Sequence, residues 1–392
     1  MIHQEQISAL VVIVPKSPRQ FEPWRLFFPS ALLLAPVNVL IWLAGRDGLI
    51  TPPGPGFATW HGREMLFGYT FAVIAGYLLA PMSFPAILFL WLLWLAGRLL
   101  GLLPPLLMPP VLELMVAGGF PAVVAVLGVR RFSVMKRARN LPFPIIMTAL
   151  GTLAVTTYAV ELGLLPSPAR QPTVLVTYVV AMLIMVMGGR LVPTATIGAL
   201  RNRGWLTRIP VSPWQEGLIV AGMFVLVWSE IFDRPALAGV VALVIAAILA
   251  LRMRNWHSIR VWHDPAVWPL HLGFVWLVIG SALIGLERLG FIQVPDAGAL
   301  HALAAGGIGT ITLVMMSRVT GYRASAPEIS AGVLHTLQII MALAVIIRIS
   351  GGLVFPEERT VMLWLSAAAW AAAYGGSAAV LLPEALRPAL PD

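Results

Sequence analysis

Any chemistry in this chain must come from histidine, methionine and a few scattered carboxylates, since the sequence holds seven histidines, 16 methionines and no cysteine. That rules out disulfides, thiolate zinc sites, cysteine-ligated iron–sulfur clusters and attached c-type haem. His61 stands near the head of WHGREMLFGYTFAVIAGYLLAPM, Trp60 to Met82, with Met65 four residues on and Arg63 and Glu64 between them. A neutral imidazole one turn from a thioether is a pair that suits haem iron or copper. Glu64 is placed either to hydrogen-bond a ligating imidazole or to pair with Arg63 or an arginine of another helix. On a regular helix Gly68, Ala72, Ala75 and Gly76 continue nearly the same face, so a groove of small residues is expected below His61, open to a flat cofactor or a neighbouring helix.

A second segment of this kind begins at His301, HALAAGGIGTITLVMMSR, where Ala304, Ala305, Gly306, Gly307 and Gly309 permit close approach of a helix backbone or a porphyrin. Arg318 ends it about four turns away, roughly 20 Å along the axis, too far to share a metal with His301. It either snorkels to the surface or holds an anionic group such as a haem propionate, and Gly188-Gly189-Arg190 offers the same choice. His271 and His335 open two further apolar segments from the opposite side. His3, His257 and His263 fall in a tail and a polar loop and read as solvated. The two levels are most of a bilayer apart, so one metal draws on at most two of these four: His61 with His301, or His271 with His335.

The elements that position these residues are spelled out by composition. The chain is 59% hydrophobic and 11% charged, with a mean hydropathy of +0.88, values that fit an integral membrane protein. Its net charge of +9 sits in short gaps between apolar runs, which points to membrane topology and away from nucleic acid. Apolar windows near 28–45, 62–82, 83–101, 105–128, 142–165, 172–193, 213–232, 235–252, 267–286, 298–319, 330–350 and 360–382 predict an all-α, polytopic bundle of about twelve transmembrane helices. Two pairs, 62–101 and 213–252, read equally as tight hairpins or as broken spans. The division is a tail over 1–27, one membrane domain over 28–382 and a tail over 383–392. The N-terminal apolar run lacks a basic lead-in and a cleavage site, and is expected to be retained.

Loops after helices 4, 6, 8 and 10 carry fourteen Lys and Arg, and those after the odd helices eight, Arg348 among them. The positive-inside rule then puts both termini in the cytoplasm and His61 and His301 at the outer face. Glu113, Glu161, Glu216 and Glu230 are too sparse and too peripheral to trace a proton path. Nothing resembles a nucleotide-binding loop, a nucleophile elbow or a zinc-protease helix.

Four stretches resemble the NnrS family: His61 to Ala80, GGRLVPTAT from Gly188, PLHLGFVWLVIGSALIG from Pro269, and HALAAGGIGTITLVMMSRVTGY from His301. The resemblance implies a bacterial inner-membrane protein of the nitric-oxide response and denitrification, containing haem and copper, and carries His61, Glu64, His271, His301 and Arg318 over as matching positions. The family's His-x-His-Glu reads His61-Gly62-Arg63-Glu64 here, and its Leu-Gly-His reads Thr320-Gly321-Tyr322, so two family histidines are replaced. One haem held by two of the remaining histidines is compatible with this pattern. Two other functions stay open on the residues alone: a secondary transporter, from the Gly- and Pro-interrupted spans, and a cofactor-free scaffold for a redox partner.

Overall fold

In the computed structural model, residues 20–50, 56–102, 108–134, 140–168, 170–323 and 329–387 are described. They form twelve helical rods. These are α1 (Trp24–Arg46), α2 (57–78), α3 (Phe84–Leu100), α4 (Pro110–Ala117 and Gly119–Val134, bent by 45°), α5 (Pro142–Glu161) and α6 (Pro172–Arg201), then α7 (Pro213–Ile231), α8 (Pro235–Met253), α9 (Trp268–Arg288), α10 (Gly298–Arg323), α11 (Ala331–Val354) and α12 (Arg359–Leu386). Nine described helices are long and apolar enough to cross a membrane, or ten with the bent α4 as one span. The other two rods are α2, whose mouth carries His61, Arg63 and Glu64, and α3, only 17 residues long. The count of about twelve spans is therefore approximate, while the all-helical, multi-pass fold is plain. Strand structure among the described residues amounts to Gln20–Phe21 paired with Met82–Ser83.

Helix starts follow the prolines: α3 to α9 each have Pro in the first turn, where its missing N–H costs nothing and its fixed φ suits the helix. Both ambiguous pairs are hairpins. The end of α3 returns to the start of α2, where Arg98 bonds Glu64. Between α7 and α8 the chain reverses at Asp233, which has φ 50, and the two helices pack on each other. Where α8 crosses α9, Gly239 and Gly285 face each other so closely that a Cβ on either would lie 3.0 or 2.9 Å from the other's carbonyl oxygen. Only glycine allows that crossing.

Two of the rods are not regular helices. In α2, Phe57–Arg63 is α-helical, Glu64–Thr70 is a seven-residue π-helix, and Phe71–Leu78 is α-helical again. In α10, Gly298–His301 is followed by an eight-residue π-helix, Ala302–Gly309, and then by Thr310–Arg323. Each π segment follows closely on a histidine. Threonine hydroxyls take up carbonyls of the widened turns: Thr70 Oγ1 donates to Met65 O at 2.8 Å, and Thr312 Oγ1 to Ile308 O at 2.6 Å. Such π turns are rare and collect at functional sites.

Candidate functional site

A cavity of about 410 Å³ lies between α1, α2, α6, α10, α11 and α12, at the end of the bundle where α2 and α10 begin. That is within the size range of small-molecule sites, roughly 300–1,000 Å³. Its walls are mainly apolar and aromatic, with Trp42 on one side and Trp370 on another. Of the sequence-predicted residues, His61, Met65 and His301 line it together. The imidazole rings of His61 and His301 have centroids 6.5 Å apart and planes within 11° of parallel.

Hydrogen bonds fix which nitrogen each ring offers. His61 Nδ1 lies 2.6 Å from Asn38 Oδ1, an acceptor on α1, so Nδ1 carries the proton and donates. His301 Nδ1 lies 3.0 Å from Ala297 O, one turn back, and donates in the same way. Both rings are thereby held as the tautomer whose Nε2 bears the lone pair, the arrangement in which an outer hydrogen bond orients a metal-ligating imidazole. Trp42 packs against His61 at a centroid distance of 5.1 Å. Arg348 of α11 brings Nη2 to 3.3 and 3.5 Å of the two nitrogens of His301.

Below the histidines, Tyr69 of α2 lines the same cavity. Its hydroxyl sits 2.6 Å from both Thr312 Oγ1 and Tyr374 OH, and Tyr374 in turn donates to Gly309 O at 3.0 Å. These hydroxyls tie α2, α10 and α12 together under the cavity, with Trp370 stacked on Tyr374.

Glu64, His271 and Arg318 are not among the lining residues. Glu64 is on the other face of α2, where its Oε2 accepts from Arg98 Nη1 at 2.8 Å, and its Oε1 is 3.5 Å from Arg63 Nε. Arg63 reaches Glu161 at 2.7 Å, and Arg98 also donates to Tyr158 at 2.8 Å. Glu64 therefore takes the second of its two readings, pairing with arginines, and the acceptor that orients His61 is Asn38. His271 is buried with both ring nitrogens engaged: Nε2 is 2.8 Å from Thr196 Oγ1 and Nδ1 is 2.9 Å from Ser258 Oγ. Its companion in the sequence reading, His335, packs against Trp268. Arg318 donates from Nη1 to Ala266 O at 2.6 Å, and Arg190 pairs with Glu216.

Among the described residues no three His, Asp or Glu side chains come together as a metal-binding group. The donors available in the cavity are two imidazoles and one thioether. Sequence reasoning missed Asn38 and Arg348, and the signal was available: each is a strongly polar residue inside an apolar helix. A family model described as NnrS protein matches residues 21–388 of this chain. No curated protein matches it.

Proposed function

The chain belongs to the NnrS family, and on that premise we propose that it is a haem-binding membrane protein of the nitric-oxide and nitrosative-stress response, with His61 and His301 as the iron ligands. The observation that carries this reading is the imidazole pair: near-parallel planes, 6.5 Å between centroids, and one nitrogen of each ring committed to a protein oxygen. Two such rings on the wall of an aromatic cavity fit a flat, iron-bearing group.

The roles of the chain's own residues follow. Asn38 Oδ1 and Ala297 O hold the Nδ1 protons and so keep each Nε2 as donor to the metal. Trp42 holds the ring of His61 by packing, and Trp370 supplies apolar wall that excludes water. The π turns of α2 and α10 place Met65, Tyr69, Ala305 and Gly309 on the cavity side below the two histidines. Bound there, haem would supply an iron able to take up nitric oxide or pass one electron. Copper is the rival occupant of the same donors, because two imidazoles with the Met65 thioether make a set that a soft metal accepts.

We place the protein in the bacterial inner membrane, as the resemblance to the family implies, with both termini cytoplasmic and the cavity at the outer face on the bias of Lys and Arg toward the even-numbered loops. The test is an absorption spectrum of the purified protein in oxidised, reduced and nitric-oxide-treated forms, together with iron and copper analysis. A Soret band that shifts with nitric oxide is expected. A colourless protein after expression with ample haem defeats the reading, and copper without iron replaces it by the copper form.

A further inference from the structure

We propose that the two connections after α6 and α8, residues 202–212 and 254–267, form one platform that binds anionic phospholipid of the cytoplasmic leaflet, with arginines on the phosphates and Leu206, Ile259 and Trp262 among the acyl chains. The inference rests on the orientation proposed above and not on haem. Among the described residues Leu206 and Ile259 are the two most exposed large apolar side chains, at 92% and 86%, and Trp262 is 66% exposed. They do not belong to loose ends. Gly204 closes α6 with φ 80, and Trp205 N bonds back to Leu200 O at 3.0 Å, which reverses the chain. In the other connection Ser258–Val261 forms a short 3₁₀-helix, and both Val261 and the nearby Trp256 are buried. The buried His271 bonds Ser258 Oγ through Nδ1 at 2.9 Å. The turn is thus pinned to the bundle while Ile259 and Trp262 stay exposed.

The connections also hold each other. Thr207 Oγ1 lies 3.3 Å from His257 Nε2, the Arg260 guanidinium stands over Trp205 at 4.4 Å from the ring centroid, and Arg203 Nη1 is 3.2 Å from His263 Nδ1. Bonding of this kind fixes a surface, and the surface fixed here is apolar and cationic. Residues 202–212 contain no Asp or Glu, and residues 254–267 contain one, Asp264, whose Oδ1 accepts from Ala266 N at 2.9 Å. The same stretches contain Arg203, Arg208, Arg254 and Arg260. A cleft of about 320 Å³ is lined by Arg201, Thr207 and Arg208 together with Ile197, Trp205 and Leu206, a set that suits a phosphodiester with a chain attached. The height fits as well. With 19 residues, α8 is about 28 Å long against a hydrocarbon core of roughly 30 Å, so Arg254 emerges among the headgroups. Anionic headgroups complement the arginines, and the boundary with the acyl chains takes the Leu, Ile and Trp side chains. A soluble protein would cover the same side chains, but their place at the headgroup level favours lipid.

The chain has no cysteine, so Leu206→Cys and Ile259→Cys each give a single thiol for a nitroxide label. In proteoliposomes of equal parts phosphatidylglycerol and phosphatidylcholine, each label should be relaxed more by dissolved oxygen than by a water-soluble nickel chelate. Native mass spectrometry of the full chain, purified in detergent with the same lipid mixture, should show phosphatidylglycerol retained over phosphatidylcholine by about threefold. Arg208→Gln/Arg254→Gln should remove that preference without changing thermal unfolding, since both side chains are exposed and neither makes the contacts that join the connections. Labels relaxed mainly by the nickel chelate overturn the inference. A retained-lipid count without preference, or one that the double variant leaves unchanged, overturns it too, because the platform then meets lipid without selecting charge. Labels that are wet in vesicles and become shielded on addition of soluble cell extract replace lipid by a protein partner. A colourless protein that passes both tests defeats the haem reading and leaves this inference standing.

Discussion

The pair His61 and His301 and the single His271 are all histidines set into helices of the same bundle, yet they are built in opposite ways. At the cavity each ring commits Nδ1 to a protein oxygen, Asn38 Oδ1 or Ala297 O, and both rings line the open volume, with Arg348 Nη2 3.5 Å from Nε2 of His301. His271 commits both, to Thr196 and Ser258, and Trp256 packs edge-on against its ring. Enclosure by the fold therefore says little about whether an imidazole ligates. The count of its nitrogens against their partners says much more, because a ring with both nitrogens satisfied has no lone pair to give.

The largest effect that tests this contrast is loss of the cofactor. His61→Ala or His301→Ala should lower the Soret absorbance of the purified protein at least tenfold, while His271→Ala should leave it in place. A bleached but folded His271→Ala protein would break the comparison. Next comes the charge cluster behind His61. Glu64→Ala leaves Arg98, 5% exposed, and Arg63, 8% exposed, without their shared carboxylate, and breaking a buried pair costs about 3–5 kcal/mol. Thermal unfolding in detergent should register that loss, with the Soret position of the folded fraction unmoved, since Glu64 faces away from the cavity.

A smaller effect is expected at the residue that orients His61. Asn38→Ala removes the acceptor of Nδ1, and loss of such an outer partner typically costs about 10–100-fold in metal affinity. A Soret titration measures it, and unchanged affinity would mean that Trp42 packing alone holds the ring. The smallest change should be the stability of His271→Ala. Two neutral hydrogen bonds at roughly 0.5–1.5 kcal/mol each put it near 1–3 kcal/mol, read as a lowered melting temperature with no change in the visible spectrum.

Much of this architecture can be read from residue order, because lipid demands about 20 apolar residues per helix and leaves few alternatives to a helix. His61 and His301 meet as the pattern of helix starts allowed, since both open segments that begin at the same end. What the pattern could not give is the local rotation of α2. On a regular 3.6-residue helix Gly68 and Gly76 lie near the face of His61, but in the π-containing rod they turn toward other helices. Gly68 O accepts from Trp94 Nε1 at 2.8 Å, and a Cβ on Gly76 would run into Phe28. The face below His61 instead runs through Met65, Leu66, Tyr69 and Thr70. In α10 the small residues divide: Ala304, Ala305 and Gly309 line the cavity, while Gly306 and Gly307 admit Trp276 and Leu277 of α9. Arg348 escaped notice for a simpler reason, since counting it with the loop after α11 hid its place within the helix.

The widened turns of α2 and α10 also set how these two rods can vary. Hydropathy is almost indifferent to one residue more or less in a span, yet a π turn survives only while its extra residue is present. Were Glu64–Thr70 wound as the common helix with no residue removed, everything beyond it would swing by about 100°. Tyr69 would then leave Tyr374, and a protein still at home in the bilayer would have lost the floor beneath its paired imidazoles.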